Sequence, residues 1–107
     1  MPQEDLMIQI ELLKSANPEA LEMMVHLKLA QGWDLVGQLI TVHKFDVAQW
    51  MVDREPTQQY RLIVARNFFE LERDVKNLVS EGWDLFHGTQ NWHDKFLQWM
   101  SRLVEVE

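Results

Sequence analysis

Gly32-Trp33-Asp34-Leu35 recurs fifty residues later as Gly82-Trp83-Asp84-Leu85. A chain that carries one short unit twice is restricted to folds in which that unit packs against a copy of itself. At the same offset Asn17 meets Asn67, Leu21 meets Leu71, Glu22 meets Glu72 and Val25 meets Val75. Across positions 17–36 and 67–86, eight of twenty residues are identical, where unrelated sequences of average composition share about one or two. One residue is then lost, and Gln49-Trp50-Met51 meets Gln98-Trp99-Met100. The repeats run from about 7 to 52 and from about 57 to 104. The polar, Pro-broken stretch 53–59 is the linker.

Each copy reads as strand, helix, strand, strand. Ile8, Ile10 and Leu12 alternate in the first strand, and Tyr60 to Arg66 forms its counterpart. Asn17-Pro18-Glu19 opens the first helix with a cap, a proline in the first helical position and an acid at the positive end of the dipole. Asn67 with Glu70 opens the second helix, and Gly32 and Gly82 supply the left-handed stops. Strands from about Trp33 to Val42 and Phe45 to Val52 are matched by Trp83 to Trp92 and Phe96 to Val104. The expected fold is therefore α+β: two tandem β-α-β-β repeats in one domain spanning 1–107. They form a mainly antiparallel six-stranded sheet with two helices, arranged about a pseudo-two-fold. Trp33 and Trp83 follow the helix stops and are expected in the core, as are Trp50 and Trp99 on the last strands.

The segment from Tyr60 to about Trp92 resembles small bacterial and phage β-α-β-β domains of unknown function. Their recognisable core is Tyr-x-Leu/Val, a helix, and Glu-Gly-Trp-Glu-Leu at the helix-to-strand turn. Tyr60-Arg61-Leu62-Ile63 and Glu81-Gly82-Trp83-Asp84-Leu85 carry the likeness, and Gln31-Gly32-Trp33-Asp34-Leu35 repeats it less fully. Both copies have Asp in place of the second Glu. The resemblance implies a compact module that often assembles with copies of itself, and it brings no catalytic residue.

Composition narrows the chemistry. Seventeen acids against ten Lys and Arg give a net charge of −7, which argues against a general binder of phosphate backbones. With no Cys, disulfide scaffolds, Cys-ligated zinc and thiol catalysis are excluded. No apolar run approaches the ~18 residues of a membrane span and the first residues are acidic, so a cytoplasmic protein without membrane association is expected. The four glycines make no phosphate-binding loop, and none of the three serines sits in a nucleophile elbow. His43, His87 and His93, with Asp46 or Asp94, are possible metal ligands, but ordinary strand-end histidines are the expectation. Glu70, Glu72 and Asp74 read as a solvated helix face rather than an acid–base pair. No enzyme activity, cofactor or metal is expected.

Two surfaces stand out. Met23, Met24 and Leu27 add apolar area to the first helix beyond the stripe of Leu21, Val25 and Leu29. Val36, Ile40 and Val42 lie opposite Trp33, Leu35 and Leu39 on their strand. These six residues are the candidates: one of the two surfaces is the expected interface of a homodimer whose contact comes mainly from the first copy, and two sheets meeting face to face is its simplest form. Trp92, His87 and His93 are the expected contacts to a further partner. The expected function is a non-enzymatic interaction or regulatory module that binds, and in one form inhibits, another protein. The acidic charge favours a basic partner. The alternative is a nucleotide-like small ligand at a subunit interface, held by the same three residues with Arg61 or Arg66.

Overall fold

The computed structural model describes residues 8–42 and 46–104, apart from the side chain of Val42. Helix α1 (Pro18–Ala30) begins where Asn17 Oδ1 accepts the Ala20 N–H at 2.8 Å. It ends where Gly32 (φ 89°) donates to Leu29 O and Trp33 donates to Lys28 O, both at 3.0 Å. Helix α2 (Phe68–Ser80) is capped alike: Asn67 Oδ1 accepts the Glu70 N–H at 2.8 Å. At its far end Gly82 (φ 95°) and Trp83 donate to Val79 O and Leu78 O at 3.0 Å. The Gly-Trp pair is thus a helix stop: glycine takes the left-handed conformation, and the tryptophan amide satisfies a last-turn carbonyl.

The Glu70 carboxylate also accepts the Arg66 N–H at 3.0 Å and pairs with its guanidinium at 2.6 Å. These bonds hold the carboxyl well below its usual value, at about 2. A carboxyl lowered on folding stabilises fully above its unfolded value and loses that contribution as pH falls through the folded one. A side-chain NMR titration should therefore place the Glu70 midpoint near 2. In Arg66→Ala the midpoint should return toward the ordinary range; an unmoved midpoint would exclude the pair as its cause.

The strands form two antiparallel sheets rather than the single six-stranded sheet expected from sequence. In the first, β4 (Asp46–Val52) is central; β1 (Ile10–Ser15) lies on one side, and β2 (Asp34–Leu35) and β3 (Ile40–Val42) on the other. In the second, β7 (Lys95–Leu103) lies between β5 (Gln58–Ala65) and β6 (Asp84–Trp92). The registers run in parallel: Leu12 faces Trp50 and Leu35 faces Met51, while Leu62 faces Trp99 and Leu85 faces Met100.

The strand expected from Trp33 to Val42 is broken between Leu35 and Ile40, and β6 carries an irregularity between Phe86 and Gln90. Gly37 (φ 83°) and His87 (φ 64°) take left-handed conformations at these places. A buried glutamine on the central strand bridges each departure. Gln49 Nε2 donates to Val36 O and Gly37 O at 3.1 Å. Gln98 Nε2 donates to His87 O at 2.9 Å. Each glutamine satisfies carbonyls that the interrupted ladder leaves unpaired.

Alternation assigns the faces. Leu13, Leu35, Val47 and Met51 share a cluster with Leu21 and Val25 of α1, which defines the inner face of the first sheet. Ile10, Leu12, Ala48 and Trp50 lie on its outer face. In the second sheet, Ile63, Ala65 and Met100 pack with Trp83 and Leu78 beneath α2. The opposite face supplies Tyr60, Leu62, Leu97 and Trp99 to the first cluster. The inner side of the first half therefore packs on the back of the second. This layering cannot close one continuous sheet with both helices on one side. It is also not reciprocal, as a two-fold would require: Trp99 is 1% exposed and its counterpart Trp50 is 40% exposed.

Candidate interaction surface

The contact between halves shows what a covered face of this kind needs. Trp99 Nε1 donates to Gln49 Oε1 at 3.0 Å, both side chains being buried. The Tyr60 hydroxyl donates to Asp34 Oδ1 at 2.9 Å, which also accepts the Leu35 N–H at 2.8 Å. Arg54 lies 3.4 Å from the other carboxylate oxygen. Burial first, and then the bond to Asp34, push the Tyr60 phenol above its ordinary range, so it remains a neutral donor.

Helix α1 also closes the edge of β5. Glu22 Oε2 accepts the Leu62 N–H at 2.9 Å, and His26 Nε2 lies 2.9 Å from Tyr60 O. A carbonyl only accepts, so that imidazole nitrogen carries the proton. An edge strand with free amides and carbonyls is a template for foreign pairing, and two side chains one helical turn apart occupy one amide and one carbonyl of it here.

The outer face of the first sheet has no such cover among the described residues. Ile10 is 60% exposed, and with Val36, Gly37 and Trp50 it lines an open apolar depression. Ile40 is half-buried on this same face. The side chain of Val42, and all of His43, lie outside the described residues. Met23 and Leu27 are exposed on the side of α1 turned away from the sheet, and Met24 is partly buried against the first cluster. The candidate residues that are described thus lie on two separate surfaces. The helix lies on the inner face, whereas Val36 and Ile40 lie on the outer one.

The other expected contacts are dispersed along β6 and its hairpin. Trp92 packs partly against the first cluster, and its buried Nε1 has no hydrogen-bond partner. His93 (φ 57°) sits in the hairpin with its ring edge-on to Trp92 at 4.3 Å. His87 stands on the bulge against Phe86 at 4.5 Å. It also lines a cleft with Asp34, Arg54, Tyr60 and Phe86. The bulge breaks the even spacing that would align His87 with His93. Among the described residues no three His, Asp or Glu side chains gather as metal ligands. Glu70, Glu72 and Asp74 pair with Arg66, Lys76 and Arg73 respectively, at 2.6, 3.1 and 3.1 Å.

Gln49, Asp34, Glu22 and His26 organise this junction and Gln98 bridges the β6 irregularity, and sequence reasoning gave none of them that role. A signal was present for the glutamines: each is a polar residue inside an apolar strand, at matching places in the two halves. Asp34 sits in the recurring motif, where solvent was an equally good partner. No family model matches this chain, no curated protein is significantly similar to it, and no solved structure matches it. No helix among the described residues is long and apolar enough to cross a membrane.

Proposed function

We propose that the chain is a tandem duplicate of one β-α-β-β unit and works as a non-enzymatic protein-interaction module. Its contact surface is the outer face of the first sheet, and self-association is the primary form of that contact. One observation carries this reading: Trp50 is 40% exposed while Trp99, its register counterpart, is 1% exposed. The same kind of face is covered by protein in one half and open in the other. Open apolar depressions rimmed by polar groups are characteristic of contact sites, and tryptophan is enriched at their energetic centres. The matched strand registers and paired helix stops support the duplication. The net charge of −7 favours a basic protein as any further partner, which the module would regulate or inhibit by occupying it.

Val36→Asp tests the surface. Val36 is partly exposed, so a folded chain with a melting temperature within a few degrees of the parent is expected. Self-association, measured by sedimentation at micromolar concentration, should weaken at least about tenfold, since a buried unpaired charge costs more than ~1.4 kcal/mol. Unchanged association would remove this face from the contact.

A further inference from the structure

We infer that the outer face of the first sheet is covered by the inner face of the second sheet of another copy. The chains would join head to tail through a repetition of the contact that already joins the two halves. The inference rests on reading that outer face as the interaction surface, and it names the occupant.

Within one chain, Leu35, Leu39, Val47 and Gln49 of the first sheet meet Tyr60, Leu62, Leu97 and Trp99 of the second. The matching positions on the back of the first sheet are Ile10, Leu12, Ala48 and Trp50. The matching positions on the inner face of the second sheet are Leu85, Thr89, Phe96 and Gln98. Ala48 and Gln98 are buried, at 2% and 0% exposed, but the other positions of both sets are only partly covered. Leu85 is 54% exposed where Leu35 is 2% exposed. Phe96 stacks at 4.5 Å on Phe68, itself exposed. The molecule thus presents both sides of its own internal contact, one in each half.

The polar groups correspond as well. Trp99 donates to Gln49; Gln98 is buried in the single chain, so the indole N–H of a neighbour's Trp50 would reach it by displacing Thr89. Gln98 Oε1 meanwhile accepts from the Thr89 hydroxyl, at 2.5 Å, and Thr89 stands where the first half has buried Leu39. Along the sheet edge, Glu22 and His26 of α1 correspond to Glu72 and Lys76 of α2, again an acceptor and a donor one turn apart. Those two are exposed and paired with each other at 3.1 Å. The matching backbone groups on β1 are Ile10 C=O and Leu12 N–H. The Asp53 N–H binds Gln9 O on the β4 side, so alternation turns Ile10 and Leu12 outward. Glu72 would accept from Leu12 and Lys76 would donate to Ile10, as Glu22 and His26 do at β5.

A two-fold pairing of outer face on outer face would cover Ile10 and Trp50 but leave Leu85 and Phe96 bare. The head-to-tail contact covers both sets at once. Such heterologous contacts close into rings or run on as filaments.

Two single variants decide between these arrangements: Ile10→Asp blocks one side and Leu85→Asp the other. Both positions are exposed, and far-UV circular dichroism checks that each variant folds. Head-to-tail joining requires that each variant alone sediment as a monomer of 12.8 kDa. An equimolar mixture should form a species of twice that mass, because one intact side of each remains. If Leu85→Asp associates like the parent while Ile10→Asp does not, the inference falls and the outer face stands as the contact. If Ile10→Asp also associates normally, both fall. A parent chain that remains monomeric when concentrated overturns the head-to-tail contact and, with it, self-association as the primary use of the outer face.

Discussion

Trp99→Ala should destabilise the folded chain by about 3–5 kcal/mol, while Trp50→Ala should cost under about 1 kcal/mol in the isolated chain. The two indoles occupy matching register positions, so residue type and local sequence favour equal costs. Packing separates them. Trp99 is enclosed among Tyr60, Leu62 and the inner face of the first sheet, and its removal also leaves the buried Gln49 Oε1 without its donor. An unpaired buried acceptor adds to the cavity. Urea denaturation of both variants at concentrations low enough to suppress association measures the difference. Equal losses would contradict the assignment of one covered and one open face. Trp99→Phe isolates the hydrogen bond, at about 1–3 kcal/mol if ring volume is largely kept.

Trp83→Ala should cost a similar amount, about 3–5 kcal/mol, against a total of about 5–15 kcal/mol for a typical domain. Trp83 is buried among Ile63, Leu78 and Met100. The Arg102 guanidinium lies 4.5 Å and that of Arg61 5.7 Å from its ring centroid. Its amide completes the α2 stop, a bond that alanine retains. The loss should therefore be one of packing, with α2 still ending at Ser80. Trp33, by comparison, is partly buried with Lys28 Nζ 4.2 Å over its ring. Trp33→Ala should cost roughly half as much or less, since a smaller cavity is left. Paired chemical-denaturation curves check both, and a folded Trp83→Ala chain of parental stability would remove this side chain from the core.

The local signals in the sequence were legible because each is satisfied within a few residues. Asn17 and Asn67 cap their helices by bonds that reach only three residues on, and Gly-Trp ends them by bonds that reach back a single turn. The strand positions followed from period-two patterning. The break at 36–39 was less visible, because what permits it lies across the sheet: a glutamine from the central strand satisfies the carbonyls of its neighbour. The expected single sheet failed for a related reason. Period two assigns residues to two faces but does not say which face meets which half, and both sheets have apolar groups on both sides. The Trp50–Trp99 difference is likewise tertiary. The bond of the exposed His26 was not legible because its partner, the Tyr60 carbonyl, is 34 residues away.

The membership of the two buried clusters sets an order on how the chain is completed during synthesis. The second cluster draws only on Ile63, Ala65, Leu78, Trp83 and Met100, with Leu71 and Val75 beside it. The first, although built on the leading half, also requires Tyr60, Leu62, Leu97 and Trp99. A growing chain emerges leading half first, yet that half cannot seal its interior until Leu97 and Trp99 have left the ribosome. Until then the part of its apolar inner face that α1 does not cover must wait open, and the two halves finish almost together, at Trp99 and Met100, although their codons lie far apart.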